Sequence, residues 1–398
     1  MRRIIALPIL LCCADQDPCP AGGWVADERG SFVSLPDGTP LQVLMPAHLG
    51  RYPDGAPAIV YVRGGWKTDA LPVQEMSMRF GSGRGVLQVY LDLPDDVRGA
   101  ESRSAVAAAL RYAAGEALDT EMCSIEDRSG ISLSGQLALV SYSNGANLAW
   151  STLADPQLSL PEVDGVVMFE PPVSSQVALL DLLHTDYMPG DCALDKRLAL
   201  SCAVSYDGIV AQGEALWLEQ GKQRTALAGQ TDPDSGTWVP SSEAASAAAD
   251  AGIKAPWLAS PPEALAFWSV REASQQLKGA VAQFPDLAVI MTATEQDHVQ
   301  ASLPDQPHVM GMMEAMALAG VRWHRLNPDA SYAVLETGAP AATAEHPANT
   351  VFQVSDAPPQ MPEEVGAGRG LMTAATLEIL DRTHEEDWRD DLEVLLFH

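Results

Sequence analysis

Short apolar segments alternate with helical segments along most of this chain, and this alternation is the strongest constraint on its fold. The apolar runs have the length and composition of buried strands, at residues 58–62, 86–91, 137–140, 163–169, 287–291 and 321–326. Helical spacing of apolar residues occurs at 104–118, 146–153, 307–319 and 371–397. Apolar strands connected by helices predict an α/β fold with a mostly parallel central sheet and helices on both faces.

Two segments depart from the alternation. Residues 31–45 read as strand, turn and strand around an Asp-Gly pair, which predicts a hairpin at one edge of the sheet. Residues 173–285 are rich in Trp, Pro and small polar residues, and we interpret them as an inserted cap over the strand ends. The predicted organisation is a leader at 1–20, core parts at 25–172 and 286–398, and the cap between them.

Ser143 is the first candidate for a reactive side chain. Ser143 lies between the buried strand at 137–140 and the helix at 146–153, with Ser141 two residues before it and Gly145 two residues after it. A sharp turn there exposes the hydroxyl and needs small flanking residues, because the strand and helix backbones approach closely. The alternative is a serine that caps an ordinary turn between strand and helix.

This placement after the fifth core strand resembles the α/β-hydrolase family, with Ser141 at the position of the usual glycine. The resemblance covers about residues 30–175 and 286–398, and it implies that Ser143 is a nucleophile. It also implies an oxyanion site built from backbone amides, one from Asn144 and one from Gly65 or Trp66. Those two residues follow Arg63 and Gly64 in a loop that carries His-Gly-Gly in the family. The alternative for this loop is a Gly-Gly turn for close packing.

The resemblance places the acid of the catalytic triad in the loop after the strand at 287–291. Asp297 holds that position, and Glu295 is the neighbouring alternative. Glu170, directly after the strand at 163–169, is a second alternative acid because some members of the family place it there. A carboxylate that only caps or solvates the loop is the remaining interpretation.

The base is the least determined member of the triad. A serine hydroxyl needs a histidine within hydrogen-bond reach, and the family places it soon after the last strand. The first histidine after residue 326 is His346, about twenty residues on, and it is the preferred candidate. His298 is the main rival and His308 the next. His324 and His384 read as a strand residue and a solvated helix residue, and His398 ends the chain.

The N-terminus resembles an export signal. Arg2 and Arg3 precede the apolar run at 4–11, which is too short to span a membrane as a helix. The following Cys12 and Cys13 resemble a bacterial lipoprotein signal, with Cys13 the preferred lipidation candidate. We expect an exported protein in the periplasm, on the outer surface or secreted, with a lipid anchor as one alternative.

The other cysteines bear on the same expectation. Cys192 and Cys202 lie ten residues apart in a loop-rich region, and they are the disulfide candidates of an exported protein. Two free thiols are the alternative. Because the cysteines and histidines lack zinc-ligand spacing, and because the family chemistry needs no cofactor, none is expected.

The net charge limits the kinds of partner that the chain can bind. The net charge of −29 argues against nucleic acid, since a phosphate backbone needs a basic surface facing it. The resemblance to α/β-hydrolases and the export signal together imply an exported serine hydrolase that cleaves a small carboxylic ester. A peptidase or amidase with the same site, and a non-catalytic binding protein of the same fold, are the alternatives. The oligomeric state is left open.

Overall fold

The structure is a computed structural model. It describes residues 30–50, 52–64, 85–94, 99–169, 273–293, 307–329 and 361–385, four short strands between 216 and 240, and the single residues Cys19, Trp24, Pro171 and Tyr332.

The strands are numbered here along the chain: β1 Ser31–Ser34, β2 Pro40–Leu44, β3 Ala56–Val62, β4 Leu87–Leu91, β5 Leu133–Tyr142, β6 Gly165–Phe169, β7 Leu216–Gln220, β8 Gln223–Leu227, β9 Gly229–Thr231, β10 Trp238–Pro240, β11 Ala288–Thr292 and β12 Trp323–Leu326. The helices are α1 Ala100–Ala113, α2 Ile125–Ser129, α3 Asn144–Leu153, α4 Ala273–Gln283, α5 Pro307–Ala319 and α6 Met361–Glu385.

Eight of the described strands form the main sheet, in the order β1-β2-β4-β3-β5-β6-β11-β12. The strands from β4 to β12 in this order pair in parallel, and β2 pairs antiparallel with both β1 and β4. This arrangement confirms the predicted mostly parallel sheet with a hairpin at one edge. All residues of β3, β4, β6 and β11 are buried, as expected for strands covered on both faces.

Helices cover the sheet on two sides. Side chains that alternate along the strands divide into two buried clusters, since successive residues of a strand point to opposite faces. On one face, Leu139 and Val289 belong to a cluster that includes residues of α1, α3, α4 and α5. On the other face, Val140 and Ile290 pack in a cluster with residues of α6. The result is three layers, with the core on both sides of the sheet.

The structure corrects several predicted boundaries. Helix α1 begins at Ala100 after the N-cap residue Gly99, four residues before the predicted start at 104. Ser102 is fully buried inside the helix, and its hydroxyl donates a hydrogen bond to the carbonyl oxygen of Pro94, 3.4 Å away. Strand β5 is longer than predicted because it begins beside Ala56 at the start of β3. Helix α6 begins ten residues before the predicted 371, and residues 386–398 lie outside the described residues.

Helix α4 lies in the region that the sequence assigned to the cap, but it packs on the core. Leu277 and Ala280 are fully buried, and the first backbone N–H of the helix, at Ala273, donates to Asn147 Oδ1 at 2.8 Å. The second part of the core therefore begins before residue 286. In the rest of 173–285 the structure describes two small antiparallel pairs, β7 with β8 and β9 with β10.

A disulfide joins Cys19 to Cys123, two residues that the sequence analysis did not pair. Their separation of 104 positions gives no local signal, and the bridge forms because the fold brings Cys19 beside the loop between α1 and α2. The predicted pair of Cys192 and Cys202 lies outside the described residues. Cys19 is buried, so the folded part of the chain includes a residue that the sequence analysis placed in the leader.

A buried ionic cluster joins α6 to the last strand of the sheet. Glu378, whose side chain is fully buried, accepts hydrogen bonds from Arg325 of β12 and from Arg382 Nε at 2.8 Å. Its other oxygen accepts the backbone N–H of Asp329 at 2.7 Å. Both guanidinium groups also lie over the Trp323 ring, 5.4 and 5.8 Å from its centroid. One carboxylate thus compensates two buried cations and holds the chain that leaves β12.

Replacing this carboxylate should be costly. We expect Glu378→Gln to lower the free energy of unfolding by about 3–5 kcal/mol, because it leaves buried guanidinium charge uncompensated. Urea denaturation measures this loss. Asp286→Asn is the matched control, since it removes an ion pair with Arg322 whose side chains are 82% and 79% exposed, and such pairs contribute little. Equal stability of the two variants would contradict the interpretation.

Candidate active site

Ser143 occupies a sharp turn between β5 and α3. Strand β5 ends at Tyr142 and helix α3 begins at Asn144, so a single residue connects them. Its backbone angles are φ 49° and ψ −127°, which a residue with a side chain rarely adopts. Such strain persists only where the surrounding structure fixes it, and it is concentrated at functional sites. The turn is the sharp strand-to-helix turn that the sequence predicted, and its backbone is strained.

Close backbone packing explains the small residues around the turn. A Cβ atom added to Gly145 would lie 2.3 Å from the carbonyl oxygen of Val62 and 2.7 Å from that of Arg63. A Cβ on Gly64 would lie 2.9 Å from the carbonyl oxygen of Tyr142 and 3.0 Å from Ser143 Cβ. The chain that leaves β3 is therefore pressed against the turn, and glycine on both sides permits this contact.

Ser141 replaces the first glycine of the family pattern without disturbing the turn. Its side chain is fully buried, and its hydroxyl donates to the carbonyl oxygen of Val167 on β6 at 3.1 Å. The added hydroxyl thus has a partner on the neighbouring strand, as a buried polar group requires. The departure from the family pattern is therefore sterically and electrostatically compatible with the turn.

The backbone of Ser143 is held from both sides. Its N–H donates to the carbonyl oxygen of Phe169 at the end of β6, at 2.8 Å, and its own carbonyl oxygen accepts the N–H of Ala146 at 2.9 Å. The side chain makes no capping hydrogen bond to α3. An ordinary capping serine has extended backbone angles and accepts a helix N–H, so Ser143 does not fit that alternative.

The first turn of α3 lies directly behind Ser143. The first backbone N–H groups of any helix lack a partner within the helix, and the helix dipole adds positive potential there. Asn144 contributes the first of these groups, which is the position expected for one oxyanion donor. The proposed second donors, Gly65 and Trp66, lie outside the described residues.

The parallel register defines the edge at which the site must form. Tyr142 pairs with Phe169, and Phe169 pairs with Thr292, so β5, β6 and β11 end at the same level. Glu170 directly follows β6, and Glu295 and Asp297 follow β11. All three acid candidates lie outside the described residues. The strands that precede them, β6 and β11, end at the edge of the sheet that holds Ser143.

Three histidines in the described part of the chain lie far from this edge. His324 pairs with Val289, which is on the same level as Leu139 of β5, four residues before Ser143. At the usual spacings, His324 is roughly 13 Å from Ser143 along the strands and about 14 Å across them. Burial lowers its pKa, and Nδ1 lies 3.1 Å from the Val321 carbonyl oxygen. His324 is thus a packed strand residue, as predicted.

His384 and His48 lie at the opposite end of the sheet from Ser143, where the central parallel strands begin. The His384 ring contacts the Tyr52 ring at 5.9 Å, just before the start of β3, and His48 is exposed in the same connection. The base candidates His346 and His298 lie outside the described residues. His308, the third candidate, is the second residue of α5.

The strand order and the strained serine after the fifth strand decide the fold class. The chain has the α/β-hydrolase fold. Ser143 stands at the place of that fold's nucleophile, between the fifth strand and the helix that follows it.

Comparisons with known proteins give only distant similarities. No protein-family model matches the sequence, and no curated protein matches it. Among solved structures, the chain is similar to carboxyl esterase 2 of the fungus Tuber melanosporum, with 12% identity and a TM-score of 0.43 over 93% of this chain and 88% of that one. Esterase Est22 is a second similar structure, with 11% identity and a TM-score of 0.44 over 93% of this chain and 83% of that one.

Prolyl oligopeptidase B of Galerina marginata is a third similar structure, with 10% identity and a TM-score of 0.37. The match covers 87% of this chain and 36% of that one. In the part of the chain that the structure describes, no group of three metal-ligating side chains comes together. No described helix has the length and apolar composition of a membrane span.

One residue at the carboxyl edge of the sheet, Asn327, was not among the candidates from the sequence. Asn327 directly follows β12 and bonds to the end of β11 through both its backbone and its side chain. An asparagine at the end of an apolar strand was the available signal, because this residue type tolerates left-handed backbone angles better than most.

The close packing at Gly145 leads to a test. We expect Gly145→Ala to slow the reaction of Ser143 with a fluorophosphonate by about a hundredfold, because the added methyl displaces the turn from its reactive geometry. The second-order rate of covalent labelling measures this.

Gly38→Ala is the matched control. Gly38 has a positive φ, 89°, and nothing lies within 4 Å of an added Cβ, so Gly38→Ala should lose stability through backbone strain alone and keep the labelling rate. An unchanged rate in Gly145→Ala would show that the turn does not depend on this contact.

Proposed function

We propose that this chain is a serine hydrolase that cleaves small carboxylic esters. The observation that carries the proposal is the backbone of Ser143, strained and held at the carboxyl edge of the sheet with its hydroxyl not used as a helix cap. A serine whose conformation is costly and whose hydroxyl is left for other contacts fits a nucleophile better than a structural role.

In the proposed reaction, Ser143 Oγ attacks the ester carbonyl carbon while a histidine accepts the hydroxyl proton. The negative charge on the carbonyl oxygen is stabilised by the N–H of Asn144 and by a second N–H from Gly65 or Trp66. The histidine then protonates the alcohol as the C–O bond breaks, which leaves an acyl group on Ser143. Water hydrolyses this acyl-enzyme by the same steps, and the free serine is regenerated.

His346 is the proposed base and Asp297 the proposed acid that orients it, with His298 and Glu170 as the alternatives. The support for Asp297 is that β11 ends level with β5, so its loop departs from the edge that holds Ser143. His324, His384 and His48 are set aside because they lie away from that edge. The charge of −29 favours a neutral ester over a polyanionic substrate.

Replacing the nucleophile tests the function. We expect Ser143→Ala to lower kcat/KM for p-nitrophenyl esters by at least about a thousandfold, because no other group replaces the attacking oxygen. Ser151→Ala is the matched control on the same helix. Its buried hydroxyl donates to the carbonyl oxygen of Leu148 at 3.0 Å, so its loss should affect stability only.

The same assay separates the base candidates. His346→Ala should lose activity to a similar degree, whereas His298→Ala and the structural control His324→Ala should retain it. Full activity in His346→Ala together with loss in His298→Ala would move the assignment to His298. Absence of esterase activity in well-folded wild-type protein, with hydrolysis of peptides instead, would favour the peptidase alternative. Absence of both would favour a binding protein.

We also propose that the protein is exported, with Cys13 as the lipidation candidate. The support is the pairing of Cys19 with Cys123, because structural disulfides persist in oxidising compartments. A leader that is removed on export must then end before Cys19, earlier than the boundary at residue 20 drawn from the sequence.

Peptide mapping of protein produced in an exporting bacterial host tests this proposal. We expect a Cys19–Cys123 linked peptide without reductant, which separates when the disulfide is reduced, and a mature N-terminus upstream of Cys19. The same digest reports whether Cys192 and Cys202 are joined. Free thiols at Cys19 and Cys123 in the exported protein would contradict the assignment.

A further inference from the structure

Asn327 ties together the carboxyl ends of β11 and β12. Its backbone N–H donates to the carbonyl oxygen of Met291 at 2.7 Å, and its side-chain Oδ1 accepts the backbone N–H of Ala293 at 3.0 Å. These bonds continue the pairing of the two strands by one residue after β12 has ended. One residue therefore fixes the last described positions of both strands relative to each other.

Asparagine is suited to this position for two reasons. Its φ is 61°, a left-handed conformation that asparagine adopts more readily than most residues with a side chain. Its side chain is fully buried and supplies the acceptor that Ala293 requires. Glycine would allow the same backbone but would leave the Ala293 N–H without that acceptor, which is costly for a buried group.

Both tied ends lead into the segments that the proposed triad needs. Ala293 is two residues before Glu295 and four before Asp297, so its position sets where the segment with the acid candidates leaves the sheet. On the other side, the N–H of Asp329 is held by Glu378 at 2.7 Å, so the chain after β12 also leaves from a fixed place. Asn327 thus lies beside both places where the chain leaves the sheet, after β11 and after β12.

We propose that Asn327 is a positioning residue for the reaction of Ser143, acting through the placement of the acid that orients the catalytic histidine. This inference rests on the proposed function. It requires that the hydrogen bond from Ala293 N–H to Asn327 Oδ1 hold the start of the acid-bearing segment. Loss of that bond then weakens the support of the histidine by its carboxylate, while Ser143 and its oxyanion donors stay in place.

Asn327→Gly tests the side-chain bond alone, because glycine keeps the left-handed backbone. We expect kcat for a p-nitrophenyl ester, per active site titrated with a fluorophosphonate, to fall by about tenfold to a hundredfold, with KM within about twofold of wild type. The acid limb of the kcat/KM profile should move to lower pH, because a histidine that loses its carboxylate partner has a lower pKa.

Thr292→Val is the matched control. Thr292 is fully buried at the end of β11, and its hydroxyl donates to the carbonyl oxygen of Met168 at 3.0 Å, not to β12. We expect this variant to melt at a lower temperature while its acid limb and its kcat per active site stay at wild-type values. A shift of the limb in Thr292→Val equal to that in Asn327→Gly would overturn the proposal, since any loosening of β11 would then suffice.

The conservative variant completes the test. Asn327→Asp keeps an acceptor for Ala293 and tolerates the left-handed backbone, so kcat should remain within about fivefold of wild type. If Asn327→Gly yields no folded protein, a loss of tenfold or more in Asn327→Asp overturns the proposal, and retained kcat supports it. Active wild type with unaffected Asn327→Gly overturns this inference alone. Wild type without esterase activity or labelling overturns the proposed function as well.

Discussion

The close approach of β3 to the turn at Ser143 is the contact on which the site depends. A residue held at φ 49° and ψ −127° carries a backbone cost on the order of 1–3 kcal/mol, so the surrounding structure must fix it. Here the end of β3 packs against Gly145, and the Ser143 N–H is bound by Phe169. Relaxation of the turn would require β3, β5 and β6 to separate, and these strands form the centre of the sheet. The stability of the whole sheet therefore maintains the strained serine.

The same sheet sets the direction from which other groups reach the serine. Parallel strands that end at one level send their connecting loops to one edge, and the register places the ends of β5, β6 and β11 there. Asn327 fixes the end of β12 beside the end of β11, because its side chain accepts a hydrogen bond from the Ala293 N–H. On the outer side, Glu378 anchors the chain beyond β12 while compensating two buried cations. The edge that carries Ser143 is thus bounded by fixed backbone positions.

Much of this arrangement was predictable because its signals are local. The apolar strands, the helices between them and the small residues around Ser143 each appear within a few positions, and the structure confirms the mostly parallel sheet with a hairpin at one edge. Boundaries were less predictable. Gly99 caps α1 without a side-chain signal, and α4, which the sequence placed in the cap, packs on the core through buried Leu277 and a backbone hydrogen bond to Asn147. The Cys19–Cys123 bridge and the role of Asn327 depend on contacts between distant segments, which spacing along the chain does not reveal.

The proposed function depends most on Ser143 being the activated nucleophile. The most direct test is to treat the native wild-type protein with a fluorophosphonate and to locate the adduct by peptide mass spectrometry. We expect one phosphonyl group per chain, on the peptide that contains Ser143, and none when the protein is denatured before treatment, because only the folded turn activates this hydroxyl. A folded protein that takes up no label, or carries it on a different serine, would contradict this role of Ser143.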